Sequence, residues 1–270
     1  GSLPNYGWLL VGADEGTTTL TARRFVSSDS TTNASHHPKL TVQYTAPQLI
    51  TTQGQLSAGA AKDSTMLSRG GELSNGLGKS LWCATGANGE FKRSALQFDV
   101  SSIPNGATIT GVSLQLNVDR TPQQIETVAV DVHRLLKDWG EAATDPAGDE
   151  GGRGDPAVAG DMTMSHNFYD TSTWDNSGGD IAASSAQTAV PRNHPLQPLA
   201  DPTVIWSSAG LVADVQSWVD GASANYGWLL VGGESTTLTA RRFVSSDSST
   251  NASHHPKLTV DYVTTRPVCP

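Results

Sequence analysis

The chain has 270 residues, enough for one large domain or two ordinary ones, with 37% hydrophobic residues, 16% charged residues and a formal charge of −9. Abundant Gly, Ser and Thr around patterned runs of Trp, Val, Ile and Leu argue against disorder and against a mainly helical fold. The acidic balance argues against a general nucleic-acid binder, and no apolar run approaches the roughly 18–20 residues of a membrane-spanning helix.

From the N-terminus, the first feature is a duplication. Asn5 to Val42 recurs as Asn225 to Val260, two residues shorter, at an offset of 220 residues that becomes 218 after the gap. That offset is domain-sized and far exceeds the roughly 20–50 residues of a solenoid repeat. The expected organisation is a partial duplicate at 1–46, one β-sandwich at 47–264 and a tail at 265–270. Tyr6 to Val11 is apolar on both faces, as a buried strand would be, and Lys39 to Tyr44 alternates with Leu40, Val42 and Tyr44 on one face. Two strands alone are marginal in water. Tyr6, Trp8, Leu10, Leu40, Val42 and Tyr44 are therefore candidate assembly residues. They are expected to dock elsewhere in their own chain, to dock on a neighbouring copy, or to belong to a longer tandem array; Gly1-Ser2 also fits a processing boundary.

Thr45 to Gly59 suits a linker or an edge strand. Strands are expected at Ala61–Arg69, Ser80–Thr85 and Arg93–Val100, with turns at Gly70-Gly71, Asn75-Gly76 and Asn88-Gly89. Ser101 to Ala107 is a connection. Val112, Leu114, Leu116 and Val118 alternate without a break, as do Val128, Val130 and Val132. Such period-two alternation means antiparallel sheets with one buried face. Asp138 to Asp161 holds seven carboxylates, six glycines and two prolines without periodicity, and reads as a long loop. Phe168 to Asp180 and Pro191 to Pro202 are further loop stretches, and Val204 to Trp206 is a short strand. Ser208 to Asp220 is the one convincing helix. Ser207 or Ser208 can cap it, Gly221 can end it, and Leu211, Val215, Trp218 and Val219 form its apolar stripe.

Cys83 and Cys269 allow one bridge within the chain, or an intermolecular one through Cys269. Asn33 and Asn251 each open an Asn-Ala-Ser tripeptide, a glycosylation acceptor in a eukaryotic secretory protein. His36-His37 and His254-His255 precede a proline and a strand and read as turn or rim residues. Arg153-Gly154-Asp155 matches an adhesion tripeptide, a cheap match of three letters.

At Arg93 to Ile109, RSALQFDVSSIPNGATI, the sequence resembles the DNRLRE-type domain of bacterial surface and secreted proteins. The resemblance continues through Val112 to Val118, Lys137-Asp138-Trp139, VADVQSWV at Val212 to Val219, NYGWLL at Asn225 to Leu230, Arg242-Phe243 and PKLTVDY at Pro256 to Tyr262. It departs at Ser246-Asp247, where many members carry Arg-Glu. The resemblance implies an all-β, antiparallel, jelly-roll-like β-sandwich. It also implies kinship with non-catalytic modules that bind acidic polysaccharides such as alginate.

Sugar binding needs an exposed aromatic and polar or cationic groups around it. Trp82, Trp139, Tyr169 and Trp174 lie in or beside loops, and Lys92, Arg93 and Arg134 can meet the carboxylates of an acidic sugar. The acidic loop offers Asp145, Asp149, Glu150 and Asp155 to a structural calcium ion, although no calcium-loop spacing is present. No serine elbow, zinc motif or phosphate loop occurs, and no catalytic residues are expected. The expectation is a non-catalytic, extracellular or cell-surface structural and adhesive subunit with no required cofactor. It assembles with copies of itself or adjacent repeats through the duplicated segment; the alternative is an acidic-polysaccharide-binding module, and a polysaccharide-degrading enzyme ranks third.

Overall fold

The computed structural model describes residues 4–11, 23–43, 49–70, 72–146, 152–250 and 252–267. The chain divides into two compact units, Gly1–Pro47 and Gln48–Pro270. In the second, the strands are β1 (Leu49–Leu67), β2 (Leu73–Ser74), β3 (Ser80–Thr85), β4 (Phe91–Phe98), β5 (Thr108–Arg120), β6 (Thr127–Leu135), β7 (Asp155–Pro156), β8 (His166–Phe168), β9 (Ser172–Thr173), β10 (Ile181–Pro191) and β11 (Thr203–Trp206). Helix α1 (Ala209–Val219) follows, then β12 (Trp228–Val231), β13 (Arg241–Val244) and β14 (Lys257–Pro267).

The result is an all-β antiparallel sandwich with one helix, as the alternation requires. The main strand order is β1-β14-β5-β13-β3-β4-β12-β6-β10, with β11 also on β5. β1 serves two partners. Leu49 to Gly59 pair with β14, a bulge follows between Ala60 and Lys62, and the remainder pairs with β4. The polar stretch at 49–59 is thus the edge strand that its composition allowed. β10 is an addition that sequence pattern did not signal, because IAASSAQTAVP is mostly small and polar.

The main core collects the inward side chains of the alternating strands, among them Leu96, Phe98, Leu114, Leu116, Val130, Val132, Trp206 and Trp228. A second, smaller core joins Met66, Ala95, Leu135 and Leu229 to Trp139, Met162 and Trp174. β12 is therefore buried on both faces: Trp228 and Leu230 belong to one cluster and Leu229 to the other. This is why its sequence is apolar without alternation. The segments after β6 do more than connect strands, since Trp139, Met162 and Trp174 close the second core. α1 starts where Ser208 Oγ accepts from the Leu211 amide at 3.1 Å, and Gly221 lies beyond its end at φ +68°.

The first unit repeats the sequence of the last three strands but not their structure. Among its described residues there is one 3-10 turn, Ala34–His36, and no strand. The strands expected at Tyr6–Val11 and in the described part of Lys39–Tyr44 are not formed; Tyr44 lies outside the described residues. Tyr6 is 92% exposed and Trp8 78%, with Leu10, Leu40 and Val42 also exposed. The reason is physical. A strand needs a neighbour to match its amides and cover its side chains, and propensity alone does not replace one.

What depends only on nearby residues is the same in both copies. The amides of Gly7 and Gly227 donate to the side chains of Asn5 and Asn225 at 2.9 and 3.0 Å. Nε2 of His37 and of His255 each lies 2.8 Å from a carbonyl seven residues back, that of Ser30 and Ser248. The two glycines also share a left-handed conformation, φ +78° and +76°.

Only Gly227 is crowded. A Cβ there would lie 2.0 Å from the Leu96 carbonyl oxygen, whereas at Gly7 nothing lies within 4 Å. Gly227→Ala adds this collision to the roughly 1–2 kcal/mol of left-handed strain. It should lower the sandwich's thermal midpoint by at least about 5 °C, while Gly7→Ala leaves that midpoint unchanged. Thermal unfolding followed by circular dichroism checks both.

Candidate functional site

A cavity of about 580 Å³ opens beside β3 and β4, lined by Trp82, Glu90, Lys92, Arg120, Arg153 and His194 among others. β3 fixes Trp82 firmly: its backbone amide donates to Thr65 Oγ1 and Ser94 Oγ at 3.1 and 3.0 Å. The indole is 8% exposed, and its Nε1 is buried without a hydrogen-bond partner. Gly152 sits against the ring, where an added Cβ would lie 3.1 Å from the indole carbons. The ring is therefore no open stacking platform on that side.

Lys92 is 4% exposed, and its Nζ lies 6.0 Å from the Trp82 ring centroid. Burial holds its pKa below the usual lysine value, with Glu90 opposing the shift. Glu90 itself lies 3.7 Å from Arg69. Arg242 lies 5.7 Å from the same indole and pairs with Asp119 at 2.8 and 3.1 Å. An acidic chain thus gathers cationic side chains around one recess with an unspent N–H donor.

The other proposed sugar contacts are not brought to this place. Arg93 is held by Glu234 through two bonds of 2.6 and 2.9 Å and donates to the Gly178 carbonyl. Arg134 pairs with Asp214 at 3.1 Å, and Asp214 also accepts from Trp228 Nε1. Trp139 is fully buried and donates to the Tyr226 carbonyl, while Trp174 donates to that of Thr163. Tyr169 packs edge-on against His166 with ring centroids 5.3 Å apart. These five are engaged elsewhere in the fold, and Trp139 and Trp174 are buried because the loops that carry them close the second core. Sequence spacing also gave no reason to add Arg120 and His194, which only the folding of β5 and the 192–202 connection delivers.

The calcium expectation is redirected. Asp145 and Asp155 are exposed, and Asp149 and Glu150 lie outside the described residues. The carboxylates that converge are Asp63, Glu141 and Asp247, each with an oxygen within 4.8 Å of the others. Asp63 is buried on β1 and accepts from Ser245 Oγ at 2.7 Å and the Ser246 amide at 2.9 Å. Its own amide donates to Glu141 Oε1 at 2.9 Å. Asp247 Oδ2 is buried without a partner. Such a trio suits a hard cation in donor type, and it suits bound protons equally. Only Glu141 of the three comes from the acidic loop. Asp63 and Asp247 sit in strand and turn contexts that carry no ligand spacing.

No family model matches the chain, and no curated protein matches it. Function therefore rests on the residues themselves. Cys83 is a free thiol, fully buried, and burial pushes its pKa up to about 12, so it is an inert core residue. Cys269 and Asn251 lie outside the described residues, and Asn33 is exposed beside its 3-10 turn. Arg153 and Asp155 are exposed on either side of Gly154.

The acidic trio sets a pH dependence. Burial raises the pKa of Asp63, of Glu141 to about 8 and of Asp247 to about 6, with the neighbouring carboxylates adding to the last two. Lys62, bonded to Asp138 and the Trp139 carbonyl, and His255 oppose the shifts, and Asp145 adds to that of Asp247. A carboxyl with a raised folded pKa keeps its proton on folding. Its stabilising contribution is present at low pH and is lost as pH rises through the folded value. The sandwich should lose thermal stability between about pH 5 and 8. Glu141→Gln should flatten the upper part of that fall and melt higher than the parent at pH 8; melting curves across the range read this.

Proposed function

We propose that the protein is a non-catalytic structural and adhesive unit of the cell surface or extracellular space. In this reading the sandwich binds acidic polysaccharide at the Trp82 cavity, and the duplicated segment joins it to neighbours. The observation that carries the adhesive part is the pairing of an unspent indole N–H with a nearly buried Lys92. A desolvated ammonium attracts an anion far more strongly than a surface one does. Arg120 and Arg153 extend the cationic lining, and His194 adds an imidazole. The resemblance to DNRLRE-type domains, some of which bind alginate, points to the same ligand class.

The support for a binding role over hydrolysis is the cavity's own carboxylate content. Among the six lining residues named above, Glu90 is the one carboxylate, whereas glycoside hydrolysis uses two about 5–9.5 Å apart. The structural part is supported by the exposed Trp8, Leu9 and Leu10, whose counterparts in the sandwich are fully buried.

Affinity electrophoresis through alginate or polygalacturonate tests the adhesive reading. The parent should be retarded, and Lys92→Met should weaken retention about tenfold or more, the loss expected for one desolvated charge contact. Arg153→Ala should weaken it less, with melting unchanged. No retardation by any uronate polymer would sink the reading.

A further inference from the structure

One sequence occurs twice in this chain, and among the described residues one copy is seated in a sandwich. In the sandwich, β12 lies between β4 and β6, β13 between β3 and β5, and β14 between β1 and β5. Trp228, Leu229, Leu230, Arg241, Phe243, Leu258 and Val260 are all fully buried there. Every one is repeated in the first copy, as Trp8, Leu9, Leu10, Arg23, Phe25, Leu40 and Val42.

The polar fittings are repeated as well. Asn225 donates to the Phe98 carbonyl at 2.8 Å and receives Gln97 on its own carbonyl at 2.5 Å. Among the described residues Arg241 is bonded to no carboxylate; it spends its guanidinium on the carbonyls of Val190, Thr239, Ala240 and Ile125. Ser245 and Ser246 grip Asp63. The first copy supplies Asn5, Arg23, Ser27 and Ser28 at the matching places. Arginine and serine are common on surfaces, so what counts is their order and spacing, which repeat those of the seated copy. They are the right ones for this slot.

We propose that the first copy, through its described residues 5–11 and 23–43, is a second closing segment, able to enter as β12, β13 and the first half of β14 the sandwich of another copy of this chain. This rests on the assembly half of the reading above and names its partner. The resident segment holds an advantage, because its tether gives it an effective concentration on the order of millimolar. The guest takes the slot when the resident is out or cannot pack. Exchange then links molecules head to tail by strands that match β12 and β13 residue for residue and the start of β14 but for Gln43 in place of Asp261.

The test uses the full chain. Leu229→Asp with Leu258→Asp cripples the resident segment and leaves the guest intact. This variant should keep a cooperative β-sheet melting transition and form, by light scattering, larger oligomers than the parent, with mass rising with concentration. Adding Leu9→Asp and Leu40→Asp should abolish both the oligomers and the transition, whereas those two alone should leave a folded monomer. The proposal is overturned if the resident-disabled variant is as unfolded as the fourfold one, if it folds as a monomer, or if the fourfold variant folds. These outcomes are separable from the adhesive reading, because uronate retention is scored on the parent. They are also separable from assembly in general, which survives if the parent self-associates and Leu9→Asp with Leu40→Asp abolishes it.

Discussion

A β-strand is half of a structure. Its amides and carbonyls point sideways and must meet another strand or water, and its apolar side chains must meet a second layer. In this protein the requirement falls hardest on the last three strands. Two of them, β13 and β14, bridge onto β5, and β12 fills the space between β4 and β6. Burying Trp228, Leu229 and Leu230 is worth about 1.5–3 kcal/mol each, and two cores depend on it. The first copy, carrying the same residues, shows the other side of the constraint: the turns and the asparagine-to-glycine bond form, and the ladder does not.

The closing segment also builds the chemistry. Asp247 reaches Asp63 because β13 runs between β3 and β5 and its following turn falls back on β1. The recess at Trp82 has Ala240 in its wall and Arg242 near its indole, both delivered by β13. Neither the acidic trio nor the cationic recess exists in the sandwich before its last strands are seated. The proposed binding and the closure would therefore be coupled through common residues: a ligand preferring the closed recess would favour the seated segment.

Strands with one wet face were legible from sequence because alternation is a direct imprint of that face: Leu96 and Phe98, Val112 to Val118, and Val128 to Val132 all fell in ladders. The helix was legible from Ser208, Gly221 and the stripe between them. β10 was not, since a strand of small polar residues at the end of the strand order has little to bury and leaves no pattern. The site was legible only in part. Trp82 and Lys92 were visible as an aromatic and a cation near a turn. Arg93 and Arg134 looked equivalent to Lys92, and the difference is that Glu234 and Asp214 come from distant parts of the chain to neutralise them. Composition cannot reveal which cation has been given a counterion. Trp139 and Trp174 misled for a related reason, as a second core on the outer face of β4, β6 and β12 leaves no mark in the local sequence of the loops that form it.

The charge balance fixes what kind of recognition such a recess supports. A chain with formal charge −9 repels a polyanion at long range, so it gains no electrostatic steering. Ions screen that repulsion within about 8 Å at physiological strength. In the proposed binding, burial would reverse the balance inside the recess, because Lys92 is nearly buried and an anion reaching it would have little water between. Moderate salt then removes the long-range penalty faster than it weakens the buried contact. Retention of this kind strengthens or holds steady as salt is raised from very low values, whereas a patch of exposed lysines weakens from the first addition. If the proposed binding holds, a chain acidic overall and cationic in one pocket would favour ligands that fit the pocket over polyanions that merely carry charge.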